Sequence, residues 1–217
     1  MNKNFQNILS NTSVIPVLVI EDIEDAVPLT LALSNGGLNV IEITLRTPSA
    51  LKALSEIKNS LPDIVVGAGT VINEKNLEDA LNCGADFIVS PGMTPTLLEA
   101  VKINNAPFLP GASTPSEMMH LLESGFSFQK FFPAETSGGV DMLNAIAGPM
   151  PQISFCPTGG ISLLKAGKYL LCKNVSCVGG SWMAKPEWIN NKNWQQIENS
   201  ARETSNLTHS KYLKSGH

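Results

Sequence analysis

Eight alternations of strand-like and helix-like runs fill the 217 residues and predict an α/β fold, a (β/α)8 TIM barrel. Each alternation takes about 20–25 residues, which sits at the compact end of the range for such barrels. No linker, low-complexity stretch or charge block divides the units. Residues 1–217 are therefore expected to form a single domain, with a short N-terminal helix. The competing arrangement, an open doubly wound sheet, would carry a G-x-G-x-x-G turn after its first strand. Val19-Ile20-Glu21-Asp22 stands there instead.

The leading helix is expected over 2–9. Residues 14–20 are β-branched and nearly continuous, a strand in which Pro16 calls for a bulge or an edge. Ile23, Val27, Leu31 and Leu33 are spaced for a helix over 21–35, stopped by Gly36-Gly37. A strand over 38–45 leads to Thr47-Pro48, which opens a helix with Leu51, Leu54 and Ile57 on one face. The unit then repeats. Strand 64–69 precedes helix 73–82, with Asn73 as N-cap and Gly84 as its stop. Strands 86–90, 107–110, 127–132 and 153–157 alternate with helices 95–104, 114–124, 140–147 and 162–171. Strand 175–180 is the last. Trp194, Ile197 and Ala201 mark one face of a final amphipathic helix over 188–205, and 210–217 are expected to fray.

Composition excludes several functions. The net charge is −4 with no basic stripe, which argues against nucleic acid as a partner. The apolar run 14–20 is too short to span a membrane and runs into Glu21 and Asp22. Residues 1–13 are polar and carry no signal-peptide core. Cys83, Cys156, Cys172 and Cys177 form no C-x-x-C pair and read as reduced thiols of a cytoplasmic protein. His120 falls in a predicted helix, and His209 and His217 in a polar tail, so neither a histidine-based metal site nor a Ser-His-Asp triad is expected.

The chemistry of such a barrel gathers where its strands end. Lys130 lies in an aromatic strand that stops at Pro133, and Phe128, Lys130 and Phe132 share one face of it. Two readings stand for this octet alone. Lys130 guards an edge strand against aggregation, or it is an amine in apolar surroundings. There, desolvation penalises the ammonium, and the neutral amine can attack a carbonyl. In the second strand Ile41, Ile43 and Leu45 alternate with Glu42, Thr44 and Arg46. In a barrel the apolar set packs on the helices and the polar set faces the interior and mouth. Glu42 is then placed to pair with Lys130, since a buried charge needs a partner.

Arg46 and Thr70, if both stand at the mouth, suit a carboxylate. Each has a plainer reading: a surface arginine, and a glycine-rich turn at Gly67-Ala68-Gly69. The last two strands end in matching glycine pairs, Gly159-Gly160 and Gly179-Gly180, followed by Ser162 and Ser181. Loops after the seventh and eighth strands often bind phosphate, although a single such pair is usually only a turn.

Taken together, Glu42-Ile-Thr-Leu-Arg46, Gly67-Ala-Gly-Thr70, Lys130-Phe-Phe-Pro-Ala-Glu135, Pro157-Thr-Gly-Gly160 and Gly179-Gly-Ser-Trp182 resemble the KDPG aldolase family, the 2-dehydro-3-deoxy-phosphogluconate / 4-hydroxy-2-oxoglutarate aldolases. The resemblance runs from about Val14 to Trp182. It implies a class I aldolase on a (β/α)8 barrel, a homotrimer that needs no metal or other cofactor. It makes Lys130 the Schiff-base lysine and Glu42 the general acid/base. Arg46 and Thr70 would hold the carboxylate of pyruvate, with Phe132 against the substrate. Thr158 would tune substrate choice, and Gly159, Gly160, Gly180 and Ser181 would cradle a phosphate. Gln129 departs from the family pattern, but its side chain has the opposite parity to Lys130.

The implied substrates are 2-dehydro-3-deoxy-6-phosphogluconate, giving pyruvate and glyceraldehyde 3-phosphate, and 4-hydroxy-2-oxoglutarate, giving pyruvate and glyoxylate. The galactonate epimer is an alternative substrate. The same residues also admit a metal-dependent aldolase, a sugar-phosphate isomerase or epimerase that does not need Lys130, and a sugar-acid binding protein.

Overall fold

The structure, a computed structural model, describes Ile8 and residues 12–212, of which 208–212 are described by their backbone alone. The helix expected over 2–9 lies outside the described residues except at Ile8, which is helical. Of the end expected to fray, 213–217 also lie outside, while 210–212 continue a helix.

The first half alternates β1 (Val14–Leu18), α1 (Ala26–Asn35), β2 (Val40–Thr44), α2 (Ala50–Ser60), β3 (Val65–Gly69), α3 (Glu74–Asn82), β4 (Phe87–Val89), α4 (Pro95–Ile103) and β5 (Phe108–Leu109). Then come β6 (Gly111–Ala112), α5 (Pro115–Glu123), β7 (Phe128–Phe131), α6 (Gly139–Ala147), β8 (Ser154–Pro157), α7 (Leu163–Leu170) and β9 (Val178–Gly180). Two helices follow, α8 (Pro186–Asn190) and α9 (Trp194–Tyr212). The helix expected over 21–35 starts late, because Asp22 caps a separate 3-10 turn, Ile23–Asp25, with its side chain accepting from Glu24 N at 3.0 Å. The single helix expected over 188–205 is two, with Lys192 between them.

The closed eight-stranded barrel is not formed. Parallel pairing gives a six-stranded sheet in the order β5-β4-β3-β2-β1-β9 and a separate three-stranded sheet, β6-β7-β8. The strand expected over 107–110 is the reason on one side. Pro110 has no N–H to give a ladder, and the chain changes sheets there. Leu109 O accepts from Ser90 N (3.2 Å), whereas Pro110 O accepts from Lys130 N (2.8 Å). On the other side β8 and β9 meet only through isolated bridges, Phe155 with Val175 and Thr158 with Gly179. The result is a parallel half-barrel faced by a smaller sheet.

The two faces of the strands bury different sets. Ile41, Ile43, Val66, Ala68, Phe131 and Phe155 pack with helix residues such as Leu29, Leu54, Leu77, Met118, Leu143 and Ala166. The opposite faces supply an inner cluster of Ile15, Val40, Phe87, Val89, Leu109, Phe128, Cys156 and Cys177. Val40 and Phe128 are each two residues before a charged group of the same parity, Glu42 and Lys130. The apolar inner layer thus forms the floor of the charged one.

Candidate active site

Glu42 on β2 and Lys130 on β7 come from different sheets and meet inside. Lys130 Nζ donates to Glu42 Oε1 at 3.2 Å and lies 3.5 Å from Oε2. The residues are 5% and 3% exposed, so the pair is withdrawn from bulk water, where a lone charge of either sign would be costly. Space for the carboxylate comes from Gly69: a Cβ there would lie 2.0 Å from Oε1. Beside the pair, Thr44 Oγ1 donates to Leu18 O (2.8 Å) and accepts from Arg46 Nε (3.1 Å). That bond fixes the base of an otherwise exposed arginine.

The alternation expected around Lys130 is present. The Phe132 ring centroid lies 5.4 Å from Nζ. Phe131 faces the helices, edge-on to Phe155 at 6.3 Å. Gln129 also points away and is fully buried, Nε2 donating to Met118 O and Phe126 O, both at 3.0 Å.

Phe132 also lines a cavity of about 710 Å³ together with Arg46, Thr158, Gly159, Gly160, Gly180 and Ser181. Gly159 and Gly160 turn with φ of 108° and 76°, a left-handed conformation that glycine adopts without strain. Thr158 is buried, its hydroxyl filling the space that a Cβ at Gly179 would take, 2.3 Å away. Three expected residues, Lys130, Glu42 and Thr70, are not among the cavity's lining residues, and the buried Lys130–Glu42 pair adjoins the cavity through Phe132. Thr70 is half-buried at the end of β3 with φ 61°.

Two features escaped the sequence reading. The first is an acidic rim, Glu21, Asp22 and Asp25, with Lys192 ion-paired to Asp25. Glu21 and Asp22 follow the first strand directly, which was the available signal. Lys192 had none, being 167 residues from Asp25 in sequence. The second is the environment of Glu135, whose carboxylate takes hydrogen bonds from Lys165 and from Tyr169 OH. Those two donors hold the Glu135 carboxyl below the usual carboxylate range. Burial, and then the bond to Glu135, push the Tyr169 phenol up. Glu135 packs against Gly160, where a Cβ would sit 2.9 Å from its Cγ.

Among the described residues no group of three or more His, Cys, Asp and Glu is placed to hold a metal ion. No helix among them is long and apolar enough to cross a membrane.

The family model described as KDPG and KHG aldolase matches residues 5–200. The chain belongs to the KDPG and KHG aldolase family. Among its relatives in the family is the 2-dehydro-3-deoxy-phosphogluconate aldolase of Pseudoalteromonas atlantica, 45% identical, covering 94% of this chain and 96% of that one. Another is the KHG/KDPG aldolase of Escherichia coli K12, 44% identical, covering 91% and 93% respectively. Of solved structures, the KDPG aldolase of Legionella pneumophila superposes with a TM-score of 0.91 at 45% identity, covering 94% of this chain and 99% of that one. In that structure pyruvate is captured at low pH as a covalent carbinolamine.

Proposed function

We propose that this aldolase is a class I enzyme cleaving 2-dehydro-3-deoxy-6-phosphogluconate to pyruvate and D-glyceraldehyde 3-phosphate, and 4-hydroxy-2-oxoglutarate to pyruvate and glyoxylate. The observation that carries the reading is the buried amine–carboxylate pair, Lys130 Nζ to Glu42 Oε1 at 3.2 Å, joined to the cavity by Phe132. A carbinolamine is the first adduct of an amine on a ketone, and its capture in the Legionella relative supports the same opening step here.

In this reading Glu42 takes the proton of Lys130, and the neutral Nζ adds to the C2 ketone. Glu42 returns that proton to the carbinolamine hydroxyl, which leaves as water and gives a protonated imine with Glu42 again a carboxylate. Glu42 then accepts the proton of the C4 hydroxyl. The C3–C4 bond breaks, its electron pair passes into the imine as an enamine, and the aldehyde departs. Glu42 returns the proton to C3, and water releases pyruvate and restores Lys130. One carboxylate thus serves every proton transfer, a role that contributes roughly 10²–10⁴-fold.

Arg46, with Thr70, holds the substrate carboxylate, a geometry a guanidinium matches bidentately. Gly159, Gly160, Gly180 and Ser181 receive the phosphate. Thr158, between the two ends, bears on which aldehyde portion fits. Assembly as a homotrimer of single-domain chains in the cytoplasm belongs to the same reading, and the mass in solution by light scattering checks the assembly. The decisive experiment is borohydride reduction with pyruvate, followed by peptide mapping. The expected result is a reduced adduct on Lys130. No adduct, or one on Lys165 or Lys185, overturns the assignment.

A further inference from the structure

The cavity carries charges that this mechanism leaves unassigned. Glu21, Asp22 and Asp25 line it against two cations, Arg46 and Lys192. Arg46 is committed to the substrate carboxylate in the mechanism proposed for this site. Lys192 is then the cation left to offset three carboxylates lining a cavity that must admit a phosphate, itself close to doubly charged at neutral pH. A narrow cleft lined by one sign of charge focuses its field on whatever enters, so an uncompensated acidic rim would repel that group.

Lys192 is built into this place. Its backbone has φ 53° because it ends α8 in a left-handed turn, Lys192 N donating to Ile189 O at 2.9 Å and Asn193 N to Trp188 O at 2.8 Å, which fixes where the side chain starts. Its ammonium is ion-paired with Asp25, whose side chain is only 9% exposed while that of Lys192 is 52% exposed. The bond to Asp25, with the fields of Asp25, Asp22 and Glu24, outweighs desolvation and raises the lysine's affinity for its proton. The ammonium is therefore charged at neutral pH, and Lys192 lines the same cavity as Gly160 and Ser181.

We propose that Lys192 is a specificity-determining residue for the phosphorylated end of the substrate, with Asp25 as the counter-ion that holds its ammonium at the cavity until the phosphate arrives. The inference rests on the proposed aldolase function. It places a determinant of phosphate affinity in the segment between α8 and α9, beyond the motifs that carry the family resemblance.

The test compares cleavage of 2-dehydro-3-deoxy-6-phosphogluconate with that of its dephosphorylated counterpart, and uses inorganic phosphate as a competitive inhibitor. Lys192→Gln should raise KM for the phosphorylated substrate and Ki for phosphate about tenfold, with the change falling on KM rather than kcat. The dephosphorylated substrate should be affected much less. Lys192→Arg should restore most of the loss, and the difference from wild type should shrink in high salt.

Asp25→Asn separates charge from mere tethering. If Lys192 acts on the phosphate, releasing it from Asp25 and removing one negative charge lowers Ki for phosphate, opposite to Lys192→Gln. If the ion pair only ties the chain down, both substitutions shift Ki the same way. That result, or equal shifts for the two substrates, overturns the inference. The pyruvate–borohydride adduct keeps the two readings distinct. Its absence in wild type defeats the aldolase mechanism, whereas an adduct in Lys192→Gln with unchanged phosphate affinity defeats this inference alone.

Discussion

Glu42 stands where it does because Gly69, on the neighbouring strand β3 where it pairs with Thr44, has no side chain to meet its carboxylate. An alanine there would put its Cβ 2.0 Å from Glu42 Oε1 and 2.7 Å from Cδ, closer than any real contact, so the carboxylate must move off Lys130. Gly69→Ala should therefore lower kcat by about 10²–10⁴-fold, the worth of a general acid/base, and match Glu42→Gln within error. The check is steady-state cleavage together with exchange of the pyruvate C3 protons in D₂O, which should fall in parallel. Wild-type exchange in Gly69→Ala would mean that the carboxylate has another way to reach its place. Parity in two short strands made Glu42 and Lys130 legible in the sequence, because alternate residues must share a face. The small residues ending β3 were legible only as empty space. What fills it is Glu42 itself, from another strand. Thr70 was legible as a hydroxyl near the mouth, but its backbone turn at φ 61° is not written in the spacing, and the cavity forms without it in its lining.

Helix α5 shows how far an element can be read from its first few residues. Pro115 occupies the first turn, where a missing N–H costs nothing. Thr114 is the N-cap, Oγ1 accepting from Glu117 N at 3.3 Å, while Glu117 Oε2 accepts from Thr114 N at 2.9 Å and Ser113 N at 2.8 Å. Loss of such a cap costs about 1 kcal/mol, so Thr114→Ala should lower the unfolding free energy by about that much in urea titrations. The Ser113 N–H bond, with the Thr114 bonds, holds the Glu117 carboxyl below the usual carboxylate range against the opposing effect of burial. A lowered folded-state value means that this stabilisation is complete above the unfolded-state value and fades as acid protonates the folded carboxylate. Glu117→Gln should therefore be less stable than wild type at neutral pH, and the gap should close as pH falls below the usual carboxylate range. A constant gap would count against the cap. Asn73, expected as an N-cap, is one, accepting from Asn76 N at 2.8 Å. The strand expected over 107–110 was less legible. Its apolar residues mark a strand, but whether Pro110 ends one ladder or begins another depends on neighbours far away in sequence.

Across the whole molecule, the count of units could be read but not the closure of the ring. Alternation sets the order of strand–helix units, whereas closure depends on whether each seam can exchange hydrogen bonds. Pro110 interrupts one seam and isolated bridges make the other. Glu42 therefore belongs to the six-stranded sheet and Lys130 to the three-stranded one, so core packing rather than one continuous ladder sets the span of the site. The amphipathic pattern near the C-terminus was equally clear, but not what it would cover. Helix α9 lies against α1 through Ile197 and Ala201, both fully buried. It is also tied to the β9 end by Trp182 Nε1 donating to Thr204 Oγ1 at 2.9 Å. Lys192 lies just before this helix and is held at the other end by Asp25. Loosening α9 should thus be felt at the cavity as well as in stability. Ile197→Ala removes a buried side chain and should cost about 2–5 kcal/mol, seen as a lower Tm by calorimetry. At a temperature where the variant remains folded, KM for the phosphorylated substrate should rise while kcat holds, because Lys130 and Glu42 lie on strands that α9 does not carry. A kcat loss as large as the KM effect would show instead that α9 supports the reacting pair.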